Sequence, residues 1–399
     1  MASDPSLPAA DDPAQEAAEY AHSAQQYLQS GRRDIAELYA RAALETDPRN
    51  GAARALLDGL ASALRWPARF AATKPGTRYL LVREWSQGFW SDVDHVLGMC
   101  LLAEITGRTP LVWWGAQSRF SRDPAANAWE QFFAPVSTAS LEELAPRAKF
   151  PAKWQAQPLG GPIRNRWSGA GSRLVGLELM DRDEAVLVSD FHTGMKALLP
   201  WLPASHALAG ASLQDAYRAL ARKYLQPRPE ILAEVERFSA AHFRGRPVIG
   251  VHLRGSDKVE EVRELEAILN RYFPIVEERL RARPDAALFL LTDDERVRAH
   301  YQQRYGTRLL ATACARSSSN IGVHYMPDRD PLRIGVEVMV DTYLAARCDE
   351  FIGLGFSNVS LYVSYLKSWP PGSCRLLDTN AHEVWNAVSL LMEAPPGAG

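Results

Sequence analysis

An imidazole and a guanidinium stand two residues apart in Val251-His-Leu-Arg-Gly-Ser-Asp-Lys258. Where that segment is extended, alternation turns His252 and Arg254 to one face. The planar, permanently charged fork of Arg254 suits a diphosphate, and His252 beside it can hydrogen-bond a base or a sugar. Asp257 and Lys258 follow in the turn. The plainer alternative is an ion-paired surface arginine and a core histidine satisfied by backbone. A second junction, Leu291-Thr-Asp-Asp294, ends an apolar run and opens a helical one. Thr292 or Asp293 would cap that helix; otherwise Asp293 and Asp294 would contact substrate or orient His252 or Lys258. No second acidic cluster accompanies this dyad at a spacing that suits a hard cation, so no metal is expected. The third junction, Gly353-Leu-Gly-Phe-Ser-Asn358, sets Phe356, Ser357 and Asn358 at a helix start, where free N–H groups and the dipole favour an anion. A glycine turn with a serine cap accounts for the same residues. Upstream, Asp341 among Val338, Val340, Leu344 and Ala345 is either an exposed helix residue or an acceptor for a ligand's base. In combination these residues ask for a diphosphate-bearing ligand, as a sugar nucleotide would supply. The sequence contains no P-loop, GxGxxG, GxSxG or HExxH pattern.

The elements that must hold these residues are short apolar strands alternating with helices. After Arg244-Gly-Arg-Pro247, strands are predicted at 248–253, 287–291, 308–311, 350–354 and 374–377, with helices at 260–281, 294–305, 332–347 and 358–366. Such alternation implies a parallel sheet covered on both faces. Ligands of open parallel sheets sit beyond the carboxyl ends of the strands, where all three junctions fall. Earlier in the chain, strands at 79–82 and 110–114 flank a loop at 84–91 and a helix at 92–107, a βαβ start. Residues 115–184 read as irregular, a strand follows at 185–189, and helices fill 214–242. The expectation is an α/β protein of GT-B type, with two doubly wound domains facing across a cleft: 67–243 on the acceptor side and 244–399 on the donor side.

Residues 1–13 read as disordered. Residues 14–66 carry helix, Gly31 turn, helix, Asp47-Pro48 break and a further helix at 52–64, a pattern similar to one tetratricopeptide unit. A single unit cannot bury its own apolar face. It would therefore cap the next domain, dock a protein partner or form a dimer interface. With 45 Lys plus Arg against 47 Asp plus Glu, charge gives no case for nucleic acid or an anionic membrane surface. The four cysteines lack zinc-like spacing and point to a reduced compartment. No spanning helix or signal segment is legible, so the expectation is a cytoplasmic protein, with peripheral attachment at a membrane as the alternative.

The ordered motifs resemble the α1,6-fucosyltransferases and nodulation fucosyltransferases, and more loosely the protein O-fucosyltransferases. His252-Leu-Arg254-Gly-Ser-Asp257-Lys258 is similar to the family's histidine-x-arginine-arginine-x-aspartate-lysine motif, and Thr292-Asp293-Asp294 to its strand-end acidic pair. Asp341 followed by Phe356-Ser357-Asn358 resembles its aspartate helix and phenylalanine–serine turn. Ser86 to Val96, with Gly88, Trp90 and His95, resembles the family's glycine-rich loop and first helix, and Trp129 to Val136 continues in the same order. The resemblance runs from about Arg78 to Asp378. It implies GDP-fucose or a related GDP-sugar as donor substrate and no cofactor. It also implies inverting transfer, without a metal, to a hydroxyl of a glycan or polypeptide. By the same resemblance Arg254 would bind the β-phosphate, His252 with Asp341 the guanine, and Ser357 with Asn358 the diphosphate. Three departures stand out. The family's second arginine is Gly255, implying weaker donor binding or another donor. Its glutamate aligns near Val262, so Glu260 or Glu261 would serve as base after a short register shift, beside Arg254 and Lys258 as the other catalytic candidates. The loop holds fewer glycines, and Trp90 is expected to shape an altered pocket.

Overall fold

The computed structural model describes residues 13–29, 33–60, 77–164, 166, 179–180, 182–195, 198–199, 202–255, 270–319 and 321–377. Three helices come first: α1 (Pro13–Gln29), α2 (Arg33–Thr46) and α3 (Gly51–Gly59). Alanines 17, 21, 24, 40 and 43 are buried, and these small side chains let α1 and α2 approach closely. Tyr39 fills the seam, stacked on Tyr27 at 5.1 Å and edge-on to Tyr20 at 6.3 Å. Asn50 caps α3 by accepting from the Ala53 N–H at 2.9 Å.

Two parallel sheets follow. The first comprises β1 (Tyr79–Arg83), β2 (Thr109–Trp113), β3 (Lys149–Phe150) and β4 (Val186–Ser189), in the order β2-β1-β4-β3. Between them run α4 (Phe89–Thr106), α5 (Trp129–Phe132) and α6 (Leu141–Leu144). The stretch read as irregular thus contributes an edge strand and two single-turn helices, too short for either periodicity to register. Two helices, α7 (Leu213–Tyr224) and α8 (Pro229–His242), then fill the stretch read as helical. Pro227 and Pro229 separate them, since proline lacks the N–H and disfavours helix before it; Pro229 instead opens α8 at its first position.

The second sheet is built from β5 (Val248–His252), α9 (Tyr272–Ala282), β6 (Ala287–Leu291), α10 (Glu295–Tyr305), β7 (Leu309–Leu310), α11 (Pro331–Ala346), β8 (Glu350–Leu354), α12 (Asn358–Leu366) and β9 (Cys374–Leu377). Its order is β7-β6-β5-β8-β9, all parallel. Every residue of β5, β6 and β8 is buried, as helices on both faces require. The chain starts at β5, moves outward to β7 and returns to β8, so strand direction of travel reverses between β5 and β8. That is the switch point at which open sheets hold ligands.

Trp90, expected in a pocket wall, is instead the peg that joins the two halves. It lies in the first turn of α4 and is 1% exposed. Its indole N–H donates to Thr342 Oγ1 of α11 at 2.8 Å, and its ring stacks on Tyr362 of α12 at 4.4 Å. Tyr217 of α7 stacks flat on Tyr365 of α12 at 4.2 Å. One apolar cluster therefore runs through α4, α7, α11 and α12. At the rim, Arg122 pairs with Asp330, which also caps α11 through the Leu332 N–H. Among the described residues, no helix is long and apolar enough to cross a membrane, no group of His, Cys, Asp and Glu is arranged to hold a metal, and all four cysteines are free.

Candidate functional site

Because β6, β5 and β8 are neighbours, the three junctions singled out in the sequence lie side by side at one edge of the second sheet. Arg254 follows β5 and keeps its side chain 20% exposed. Its Nε lies 3.6 Å from Asp293 Oδ2, while the other oxygen of that carboxylate accepts the Gly255 N–H at 3.1 Å. Asp293 thus ties the β6 junction to the β5 junction, with the Arg254 guanidinium beside it.

Asp294 has a different task. It is 2% exposed and caps α10, accepting from the Arg296 N–H at 2.7 Å and the Val297 N–H at 3.4 Å, and it pairs with the Arg296 guanidinium. The cap expected from Thr292 or Asp293 is therefore made by Asp294, one residue later. The hydroxyl of Thr292 only accepts the Asp294 N–H, at 3.2 Å. A carboxylate so occupied by its own helix has little left for substrate.

His252 is 3% exposed and its Nδ1 lies 2.7 Å from Ser360 Oγ, a hydroxyl that also accepts the Leu354 N–H at 2.9 Å. One ring nitrogen is committed to α12. Burial, with help from the charge of Arg254, pushes the imidazole pKa down to about 3, so the ring is neutral at pH 7. Close approach of α12 also explains Gly353: a Cβ there would sit 2.5 Å from Ser360 Oγ and 2.6 Å from the Phe351 ring.

At the start of α12, Ser357 occupies the N-cap position without a side-chain cap bond. Its hydroxyl is fully buried and has no hydrogen-bond partner among the described residues. Asn358 is half-buried in the first turn, and Phe356 packs partly buried against the apolar cluster on the other face of the sheet. Phe356 is thus a packing residue here. The first N–H groups of this nine-residue helix, at the junction next to that of β5, have no side-chain cap and can receive an anion.

Asp341 is not an exposed helix residue: it is 8% exposed, and it lines a cavity of about 320 Å³ between α8, α11 and the segment after β7. Thr312 donates to its Oδ1 at 2.6 Å and Cys314 to its Oδ2 at 3.4 Å. Burial raises the carboxyl pKa to about 6 against those two bonds. Thr312 and Cys314 went unnoticed in the sequence. They follow a short predicted strand just as the other site residues do, and that position was the available signal. His252 and Asp341 are not brought into contact, since His252 turns to Ser360 and Asp341 to Thr312.

In the first sheet, Gly88 is the N-cap of α4 and a Cβ on it would meet nothing within 4 Å. His95 is fully buried in α4, where its Nδ1 accepts the Thr193 N–H at 3.4 Å and burial holds its pKa well below the usual range. It packs in the core instead of lining a loop. The loop after β1 is held by carboxylates that sequence reading passed over. Glu84 accepts the Gly115 N–H at 3.1 Å and the Gln117 N–H at 3.3 Å, and Asp92 accepts the Ser86 and Gln87 N–H groups at 3.1 and 2.9 Å. Asp257, Lys258, Glu260 and Glu261 lie outside the described residues.

Gly255 marks the main departure of the β5 junction. A Cβ there would stand 2.9 Å from Asp294 Oδ2 and 3.0 Å from Asp294 Cβ, so any side chain displaces the cap of α10. Gly255→Arg is therefore expected to lower stability by about 1–3 kcal/mol without adding a usable anion contact. Thermal unfolding with a parallel GDP titration checks this; a variant as stable as the parent that binds GDP more tightly contradicts it.

No family model matches the chain, and no curated protein matches it by sequence. Solved structures do. The α1,6-fucosyltransferase NodZ co-crystallised with GDP aligns at 19% identity and TM-score 0.51, covering 73% of this chain and 93% of that one. NodZ soaked with GDP-fucose aligns at 21% identity and TM-score 0.51 over 73% and 93%. NodZ from Bradyrhizobium in its selenomethionine form aligns at 20% identity and TM-score 0.51 over 73% and 92%. The chain accordingly shares the parallel-sheet α/β fold of the fucosyltransferase NodZ.

Proposed function

We propose that the chain is a glycosyltransferase that takes its sugar from GDP-fucose or a related GDP-sugar. The observation that carries this is that Arg254 and the N-terminus of α12, which has no side-chain cap, follow adjacent parallel strands of one sheet. A permanently charged fork beside uncapped helix N–H groups suits a diphosphate, and a buried carboxylate on a cavity suits the N–H edge of a base. NodZ, whose fold the chain shares, has been crystallised with GDP and soaked with GDP-fucose. The proposed arrangement of the two halves is of GT-B type, with the first sheet on the acceptor side, and the N-terminal helices read as a tetratricopeptide-like unit.

In the proposed reaction a hydroxyl oxygen of a glycan or polypeptide attacks the anomeric carbon from the face opposite the diphosphate. The new C–O bond forms as the bond to the β-phosphate oxygen breaks, which inverts the carbon. GDP departs with the electron pair, and Arg254 and the α12 N–H groups stabilise that charge without a metal. The acceptor's proton goes to a carboxylate, Glu260 or Glu261. Gly255, which leaves Arg254 as the sole arginine of that junction, favours a second reading, a glycosyltransferase of the same scaffold that uses another nucleotide sugar.

Calorimetric titration with GDP, UDP and GDP-fucose in a chelating buffer, with donor hydrolysis followed in the same samples, tests the proposal. Metal-free binding selective for GDP, with slow hydrolysis of GDP-fucose, is expected. Preference for UDP, or binding of no nucleotide, sinks it, and binding without turnover across donors would favour a sugar-nucleotide binding protein.

A further inference from the structure

Asp341 is the one carboxylate among the cavity's lining residues that receives side-chain donors from the segment after β7. A carboxylate offers about four acceptor positions, two on each oxygen. Thr312 Oγ1 takes one on Oδ1 and Cys314 Sγ one on Oδ2, so each oxygen keeps a position for a ligand. Two acceptors side by side match a ring edge with two adjacent N–H donors. Guanine has that edge, in N1–H and its 2-amino group. Uracil shows one N–H between two carbonyls, adenine an amino group beside a ring acceptor, and hypoxanthine N1–H alone.

We propose that Thr312 and Cys314 are positioning residues: their hydroxyl and thiol hold the Asp341 carboxylate with its paired acceptors toward the cavity, and so select a base with two adjacent N–H donors. This rests on the nucleotide-sugar reading above and extends it to the residues that set base selectivity. Asp341 must be ionised to accept both donors. With its pKa raised to about 6, binding is complete well above pH 6 and is lost as pH falls through it. The Thr312 bond favours the ionised form, so its removal moves that midpoint upward. Glu337 and Arg333 of α11 and Arg316 after β7 also act on this carboxylate or its cavity. Glu234, Arg237 and His242 face it from α8. All six are common to parent and variant, so the difference between their profiles isolates Thr312.

The test is calorimetric titration of the parent, Thr312→Val, Thr312→Ser and Cys314→Ala with GDP and with IDP, its hypoxanthine counterpart, from pH 5 to pH 8. The parent is expected to bind GDP about tenfold more tightly than IDP at pH 7.5, the effect of one hydrogen bond to a charged group. Thr312→Val should lose about tenfold in GDP affinity at pH 7, with its midpoint moved up, and Thr312→Ser should regain both. Cys314→Ala should show a smaller loss, its bond being long. Thr312→Val with parental affinity and midpoint overturns the inference, as does equal binding of GDP and IDP by the parent. Binding of no nucleotide by any form overturns the nucleotide-sugar reading as well, and is recognised by the parent's own silence.

Discussion

Arg254→Ala is expected to weaken GDP binding by about 3 kcal/mol, roughly 100-fold in Kd, because it removes two charge-assisted bonds to a diphosphate oxygen. The guanidinium lies 3.6 Å from Asp293 and its side chain is 20% exposed. The melting temperature of the variant, measured beside its GDP affinity, separates loss of a ligand contact from loss of structure. Arg254→Lys keeps the charge without the planar fork and should fall between the two. Calorimetry with GDP, with the melting temperature of each form measured alongside, decides the matter. Parental affinity in Arg254→Ala would remove Arg254 from the site.

The largest effect on stability is expected at Trp90. Truncation to alanine empties a fully buried indole site where α4 meets α11 and α12, removes the 4.4 Å stack on Tyr362 and leaves Thr342 without its donor. Loss of such a side chain costs about 3–5 kcal/mol. Trp90→Phe keeps most of the packing and loses the hydrogen bond, at about 1 kcal/mol. Both follow from urea unfolding by circular dichroism. Because the apolar cluster is continuous through both halves, the parent should unfold in one transition, and Trp90→Ala should broaden or split it. A loss below about 1 kcal/mol for the alanine variant would mean that the two halves stand independently.

The central strands of the second sheet, β5, β6 and β8, were legible because each is a short run buried on both faces. Leu288, Phe289, Leu290 and Leu291 carry the β6 signal with no polar interruption, and the junctions that follow inherit their position at the sheet edge from it. Residues 115–184 were not legible for the opposite reason. A two-residue strand such as Lys149–Phe150 and helices of four residues have no period to detect, and pairing with Val186 and Leu187 supplies their structure. The cap of α10 fell one residue beyond the expected place because Thr292 and Asp293 are engaged elsewhere, Asp293 with Gly255 and Arg254.

Sequence by itself determined which residues stand at the strand ends, since strand and helix periods place His252, Arg254, Asp293, Ser357 and Asn358 there whatever surrounds them. Only the tertiary structure decided what those residues touch. A histidine two residues before an arginine can serve a ligand or a helix, and Ser360, 108 positions away, directs one nitrogen of His252 to α12. Asp341 sits on a helix face that either solvent or a cavity could cover, and Thr312 reaches it across 29 residues. Trp90 belongs to a loop-and-helix motif in sequence but to an interface in space, through a bond spanning 252 residues. Burial and hydrogen bonding are properties of neighbours brought together by folding, so a linear pattern locates a side chain but does not assign its partner.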